Sequence, residues 1–415
     1  MKLARRTSIP LALLLGFCIA LSGCDNNKDT RSSAKSASAT TSQEKRPLSH
    51  NELTTLLENK KLNTTGDFKE FLSSVIASKA VSSSRGDALM AYVDNGTINE
   101  SAAALIPSLL GLWVRLHYYD DAEALLAKMV AIPSANTLGV PSNQNPDIIA
   151  MGKLIEQMAW KWKLIYKNID NYVFEVSLPG DTVEDVGIIT HADIVPADPK
   201  KWLLDDGQQL NPYKLTKVGD RLYGRGSEDD KSSIVSAMYA MKAIKENKLP
   251  LHRGIRLMVR TMEETAGKEI DYYKKHRILP PYNIVLDSLH PVVIPENNTG
   301  SIKALFPVSA LPDAKKPAIT QFTSSLPNQT SAESTAVILS GNPTDVAKQL
   351  NTAKPGFLSD TGSDVTITVS PEQNQVRVVV TSTSTHSSQP EQRVNTVTAM
   401  AGFLAASHLT FVDNE

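Results

Sequence analysis

Three short apolar runs in the middle of the chain each lead straight into metal-binding chemistry. Val186–Thr190 is followed by His191 and Asp193, Ile255–Thr261 by Glu263 and Glu264, and Ile284–Leu286 by Asp287. Runs of this length read as buried strands. Ile149–Ile165 and Ser232–Asn247, with apolar residues at helical spacing, read as helices around them. Alternating strands and helices predict an α/β fold with helices on both faces of a sheet. In such a sheet the C-terminal ends of the strands open on one crevice, so donors placed there converge although far apart in sequence. Asp229 is a further donor, in the loop LYGRGSEDDKS just before the helix at Ser232, where Gly224 and Gly226 permit tight turns. A lone histidine after a strand, or an acidic pair, is ordinarily structural or solvated. The recurrence of such residues at every strand end is what points to a site.

The donors are nitrogen and carboxylate oxygen, a set that suits zinc, cobalt or manganese rather than calcium. Thiolate ligation is excluded, because the only cysteines are Cys18 and Cys24 and both belong to the N-terminal segment. There, Lys2, Arg5 and Arg6 precede the apolar run Ile9–Ala20, too short to span a bilayer and shaped like a signal peptide. It closes on Leu21-Ser22-Gly23-Cys24, which resembles the bacterial lipobox, so acylation of Cys24 and a periplasmic-side location at the cell envelope are expected. Residues 25–49 are polar and rich in Ser, Ala and Thr, a disordered tether. With no thiol beyond Cys24, disulfides are excluded and the body must rely on its core. A formal charge of −1 over 415 residues gives no basic excess to suggest nucleic acid.

The expected organisation is a signal peptide at 1–24, the tether at 25–49 and a helical extension at 50–117. A catalytic α/β part follows at 118–297, beginning with a helix over Ala122–Met129, and a Ser/Thr/Pro/Ala-rich part occupies 298–415. That last part should hold a helix near Thr344–Asn351, strands near Val365–Val369 and Val376–Thr381, and a helix over Val394–His408.

The order HADIVP, GRGSEDDKS, MEET, LDSLHP, with THSSQPEQRVNT further on, resembles the di-zinc peptidases of metallopeptidase family twenty. These include carnosinase-like and Xaa-His dipeptidases and relatives that deacylate amino acids. The resemblance implies a zinc-exopeptidase-like mixed sheet with an inserted α+β lid or dimerisation domain, here incomplete. It implies two divalent metal ions, zinc with cobalt or manganese as substitutes, and a dipeptide or short-peptide substrate. His191 and Asp287 then resemble ligands of one metal, Glu264 a ligand of the other, and Asp229 the bridge. Glu263 resembles the general base, Asp193 the acid that orients the site, and His386 the histidine that stabilises the oxyanion. In related dimers that histidine often comes from the second subunit, whereas single-chain relatives with larger lids supply it internally, so a homodimer is one expected arrangement. Asp230 and Lys231 fall in the supporting shell, with a helix-start role as the plain alternative for Asp230.

Ser232 replaces the glycine that usually follows the DDK triplet. The resemblance also leads one to expect, beyond the lid, a return to the catalytic domain with a last histidine ligand and substrate-carboxylate-binding residues. His290, close after Asp287, is the nearer substitute for that ligand and His408 a further one, with a packing or surface role as the plainer reading of His408. A fragment of a dipeptidase, half of a split enzyme and a non-cleaving peptide-binding lipoprotein stay open as readings, with acyl-amino-acid hydrolysis as the nearer rival. A binder has no need of Glu263. For the anchor, Cys24→Ala is expected to abolish metabolic labelling with palmitate and to move the protein from the membrane fraction to the soluble one.

Overall fold

The computed structural model describes residues 45–136, 140–204, 206–265, 267–287, 316–324, 333–382 and 394–409. The signal peptide with Cys24, most of the tether, His290 and His386 lie outside the described residues. The rest falls into two compact units that meet in sequence at Ile294–Pro295.

The first unit begins with four helices, α1 His50–Leu57, α2 Phe68–Ala77, α3 Ser83–Asn95 and α4 Glu100–Val130. Their starts are set locally. Ser49 and Glu52 form a capping box, and Asp67 and Asn99 accept from the first turns of α2 and α4. Gly96, in the left-handed region, ends α3. The boundary expected at 117/118 falls inside α4, which runs through it without a break. Across that boundary Tyr118, Ala122, Leu125 and Met129 are buried at helical spacing. The extension and the sheet therefore share one core, with Phe68, Leu105 and Trp113 in the same cluster as Phe174 and Leu257.

Helix α5, Pro146–Lys161, stops four residues earlier than its expected end, followed by Lys163 at φ 57. Ile165 instead opens β1, Ile165–Ile169, a strand that its mixed polar sequence concealed. Then come β2 Val173–Leu178, β3 Asp185–His191, the small hairpin β4 Thr216–Val218 and β5 Arg221–Tyr223, helix α6 Lys231–Glu246, β6 Gly254–Arg260, α7 Glu269–His276 and β7 Tyr282–Val285. The main sheet has the order β1-β2-β6-β3-β7 and is mixed: β1 and β2 run antiparallel to their neighbours, whereas β6, β3 and β7 are parallel. Alternate residues face opposite sides. Phe174, Val176, Leu257 and Val259 join the core that contains α4 and α6, while Val173 and Met258 pack with Tyr273 of α7. Helices thus cover both faces. The third strand was expected to be buried, but β7 is the outermost strand and Val285 is 58% exposed.

The α7 face is tied to the sheet by a buried carboxylate. Glu175 of β2 accepts from Arg277 Nε and Nη2 at 3.0 and 2.9 Å and from the Tyr273 hydroxyl. Each polar group there has a partner, which is the condition for burying charge at tolerable cost.

The second unit is an antiparallel sheet of order β10-β11-β9-β8, from β8 Ala318–Ser324, β9 Glu333–Leu339, β10 Thr366–Pro371 and β11 Gln375–Thr381. Helices α8 Pro343–Thr361 and α9 Thr396–Ala406 share one apolar core with it, through Leu350, Phe357 and Phe403 against Ile338 and Val378. Strands β8 and β9 were not foreseen in their Ser/Thr-rich surroundings. Helix α8 runs ten residues past its expected end, through Pro355-Gly356, and stops at Gly362 in the left-handed region. Helix α9 ends before His408, which is exposed at φ 53 rather than helical.

At the start of the first unit Glu52 accepts from Arg46 and Arg85, each at 2.8 Å, and Arg85 also donates to the Arg46 carbonyl at 2.9 Å. Burial works against the Glu52 carboxylate, but hydrogen bonds from Arg46 and Ser49 and the Arg85 charge outweigh it and lower its pKa to about 2. Glu52→Gln is expected to cost about 1 kcal/mol at pH 7. A lowered folded-state pKa contributes stability that is fully present above the ordinary value of 4.5 and is lost as pH falls toward 2. Urea midpoints of the two proteins should therefore converge over that interval.

Candidate metal centre

The three parallel strands deliver their chemistry at one edge of the main sheet. His191 is the last residue of β3, Glu263 and Glu264 sit in the turn after β6, and Asp287 follows β7 by two residues. Asp229 and Asp230 stand immediately before α6, joined by a cis peptide bond.

His191, 1% exposed, is fixed at three points. Its backbone N–H donates to Asp230 Oδ2 at 3.0 Å, and Nδ1 lies 2.9 Å from the Asp193 carbonyl oxygen, to which it can only donate. Nε2 then faces Asp229 Oδ1 at 2.9 Å and Asp287 Oδ1 at 3.5 Å. With the proton committed to Nδ1, a bare Nε2 lone pair against two carboxylates is repulsive unless a proton or a metal cation lies between them. Burial disfavours the imidazolium, but Asp193, Asp229 and Asp287 outweigh it and hold the His191 pKa well above its ordinary value.

Asp193 is fully buried and acts through backbone donors. Oδ1 accepts from Glu263 N at 3.1 Å, and Oδ2 accepts from Glu264 N at 3.0 Å and from Asn136 Nδ2 at 3.0 Å. The side chain therefore clamps the glutamate turn to the loop after β3. Asn136 also donates to the Thr261 carbonyl at 2.9 Å. Sequence reading missed it, and its only signal is its place between Pro133 and the next helix.

Two triplets of donors have their ligand atoms within 4.8 Å of one another: His191, Asp229 and Glu264, and His191, Asp230 and Asp287. All four residues expected as ligands, His191, Asp229, Glu264 and Asp287, are thus brought together, and Asp230 joins them. Asp230 occupies the cap position of α6 but makes no side-chain cap; one oxygen holds His191, and the other, Oδ1, is buried without a hydrogen-bond partner. Burial pushes its pKa well above the carboxylate range. An acid-rich cage around one imidazole, with an orphaned carboxylate oxygen, fits divalent cations.

Glu263 stands at the rim, half-buried, with Arg260 Nη1 3.8 Å away. Burial raises its pKa to about 7, and the nearby Asp287 and Glu264 charges add to that. Arg260 is itself fixed by Glu269 through a 2.6 Å contact from Nε. Lys231, wholly buried, donates from Nζ to the carbonyls of Met129 and Ile132 at 2.9 and 2.7 Å, at the C-terminal end of α4 where a cation is favoured. Gly226, at φ 83, is required here, since a Cβ would come within 2.9 Å of Lys231 Cδ. His386 lies outside the described residues. His408, in the second unit, is not in either triplet.

Residues 187–301 match the model of Peptidase family M20/M25/M40. The Beta-Ala-Xaa dipeptidase of Lactobacillus delbrueckii subsp. lactis is 27% identical over 67% of this chain and 57% of its own length. YtjP of Bacillus subtilis (strain 168) is 28% identical over 34% of this chain and 29% of its own. Among solved structures, human carnosine dipeptidase 1 is 16% identical, with a TM-score of 0.39 over 71% of this chain and 76% of that one. Residues 187–301 are thus similar to the M20 peptidase family, and the curated relatives that match are dipeptidases by name. The chain spans little more than half, or less, of the curated relatives it matches.

Because Asp193 holds three donors on one carboxylate, Asp193→Ala should loosen the glutamate turn and weaken divalent-metal affinity about 10- to 100-fold. Competition with a chromophoric chelator measures this.

Proposed function

We propose that this protein hydrolyses the peptide bond of dipeptides or short peptides at the carboxylate-histidine cage. The observation that supports it best is the convergence of His191, Asp229, Glu264 and Asp287 with a second, half-buried glutamate, Glu263, beside them. The name of the Lactobacillus relative, a Beta-Ala-Xaa dipeptidase, supports the dipeptide class over acylated amino acids.

His191, Asp229, Glu264 and Asp287 would hold two divalent cations, zinc with cobalt or manganese as substitutes, which supply Lewis acidity toward the scissile carbonyl and a more acidic water. Glu263 acts as the base. With a pKa raised to about 7 it can take the proton of the attacking water and return it to the leaving amine, since a group titrating near the working pH serves both transfers. Asp193 orients Glu263 and Glu264 through their backbone N–H groups and His191 through its own carbonyl. His386 would donate a hydrogen bond to the oxygen on which negative charge develops. A lipid on Cys24 would hold this activity at the cell envelope.

In a dipeptide assay with added zinc, Glu263→Gln is expected to lower kcat by about 10³-fold or more with metal content nearly unchanged, whereas Asp229→Ala loses metal as well. Equal metal loss in the two variants, measured by atomic emission, would overturn this division of roles.

A further inference from the structure

We propose that the corner of the first unit opposite the carboxylate cage rests on an anionic phospholipid surface through Trp160 and the lysines around it; the choice of a membrane as occupant rests on the Cys24 anchor proposed above. Three elements meet at that corner. Helix α5 closes with Trp160 and Lys161, β1 opens at Ile165, and α6, which starts at the cage, runs out at Glu246, just before Lys248. Lys245 of α6 ties them together, its Nζ donating to the Lys163 carbonyl. Ile165 lies across the ladders from Ser177 and Arg256, near the N-terminal end of β6, whereas the cage stands past the C-terminal end of that strand.

Trp160 is 66% exposed and Ile165 56%. Beside them Lys161, Lys163 and Lys248 are exposed and form no ion pair among the described residues. Of the acids at this end, Glu246 is engaged by Lys242 at 3.4 Å and by the Tyr118 hydroxyl, and Glu184 by Arg253 at 3.2 Å. Asp181, near Lys245 and Lys248, is exposed and leaves the lysines in excess. The plain alternative is that these lysines only complement the C-terminal ends of α5 and α6. It does not account for an indole and a branched apolar side chain left in water beside them. Nor does it explain lysine at φ 57 and φ 51, at Lys163 and Lys248, where a left-handed backbone favours glycine. Tryptophan ringed by lysine matches the headgroup level of a bilayer, where the indole takes the boundary and anionic lipids attract the charges.

The course of the chain supports this occupant. Lys45 pairs with Glu100 at 2.5 Å, at the first turn of α4, and the last turn of α4 reaches Lys231 beside the cage. Over 31 residues that helix is about 46 Å long, so the segment leading back to Cys24 departs from the end away from the cage. Residues 25–44 extend at most about 70 Å, which lets a lipid on Cys24 hold the unit near a leaflet without orienting it. A weak contact made intramolecular by that anchor is enough to orient it, with the cage turned away from the lipid.

The test reconstitutes the full chain into vesicles of phosphatidylcholine, with or without phosphatidylglycerol, and measures quenching of tryptophan fluorescence by brominated phospholipid. Trp160→Phe isolates the signal of Trp160, and unchanged thermal unfolding in detergent shows that each variant keeps its fold. Quenching that depends on Trp160 is expected with phosphatidylglycerol and should be several-fold weaker without it. Lys161→Glu combined with Lys163→Glu is expected to lower it about fivefold or more, and added salt to weaken it. Quenching that is absent, equal in the two vesicle types or indifferent to the charge reversals would overturn the proposal. So would a photo-reactive group at position 160 that captures a polypeptide and no lipid in whole cells. Flotation of the same vesicles reads the anchor separately: chain that floats unquenched keeps the Cys24 reading and sinks this one, and Trp160-dependent quenching in Cys24→Ala upholds this one without the anchor.

Discussion

The cage depends on one buried carboxylate. Asp193 carries no exposed surface, and its two oxygens take three N–H donors from two other segments of the chain: the Glu263–Glu264 turn and Asn136. A carboxylate in this environment is tolerable only because its lone pairs are taken up by donors. In return it fixes what strand geometry alone leaves loose. Parallel pairing of β3 with β6 brings His191 opposite Arg260, but the glutamates lie beyond the strand, where no ladder bond constrains them. The Asp193 side chain takes over from the ladder, and its backbone carbonyl sets the tautomer of His191. One residue thereby orients an imidazole and a pair of carboxylates supplied by two strands.

The helical extension contributes to the same geometry from behind. Lys231, adjacent to the Asp229–Asp230 pair, reaches the last carbonyls of the 31-residue helix α4. Burial lowers its pKa to about 7, and Asp147 and Asp193 pull the other way. The start of α6 is thus located by α4, and with it Asp229 and Asp230. Removing the layer that begins at His50 would take away part of the apolar core that α4 shares with α6 and the sheet. What reads in sequence as an appendage is structurally part of the platform on which the cage stands.

Much of this was legible because hydrophobic period and chemistry coincide. The runs at Val186, Ile255 and Ile284 are too short and too apolar for anything but strands, and the acids at their ends stand where a parallel sheet collects them. Other features carry no local signal. Strand β1 is mostly polar because it is the other outermost strand of the sheet, so it has no apolar alternation to read. Helices α4 and α8 continue through Pro107 and Pro355, where local propensity argues for an end; Pro107 is buried in the core, and α8 is held past Pro355 by buried Phe357. The partnership of Asp193 with Asn136 spans 57 residues and involves an amide with no periodicity around it. The triplets, too, include Asp230, which resembles an ordinary helix cap in sequence and makes no side-chain cap in the fold.

The charge balance of the cage gives the last step. Asp229, Asp230, Glu263, Glu264 and Asp287 gather around a single imidazole, with Arg260 3.8 Å from Glu263 and Arg225 stacked on Trp202. Burial pushes the Asp230 and Glu263 carboxyls up, and the neighbouring acids add to it in the same direction. Divalent cations held there would offset that charge. The same reasoning separates the basic residues by role. Arg260 is held by buried Glu269 and has its anion, Lys231 has its carbonyls, and Arg225 keeps an unmet donor.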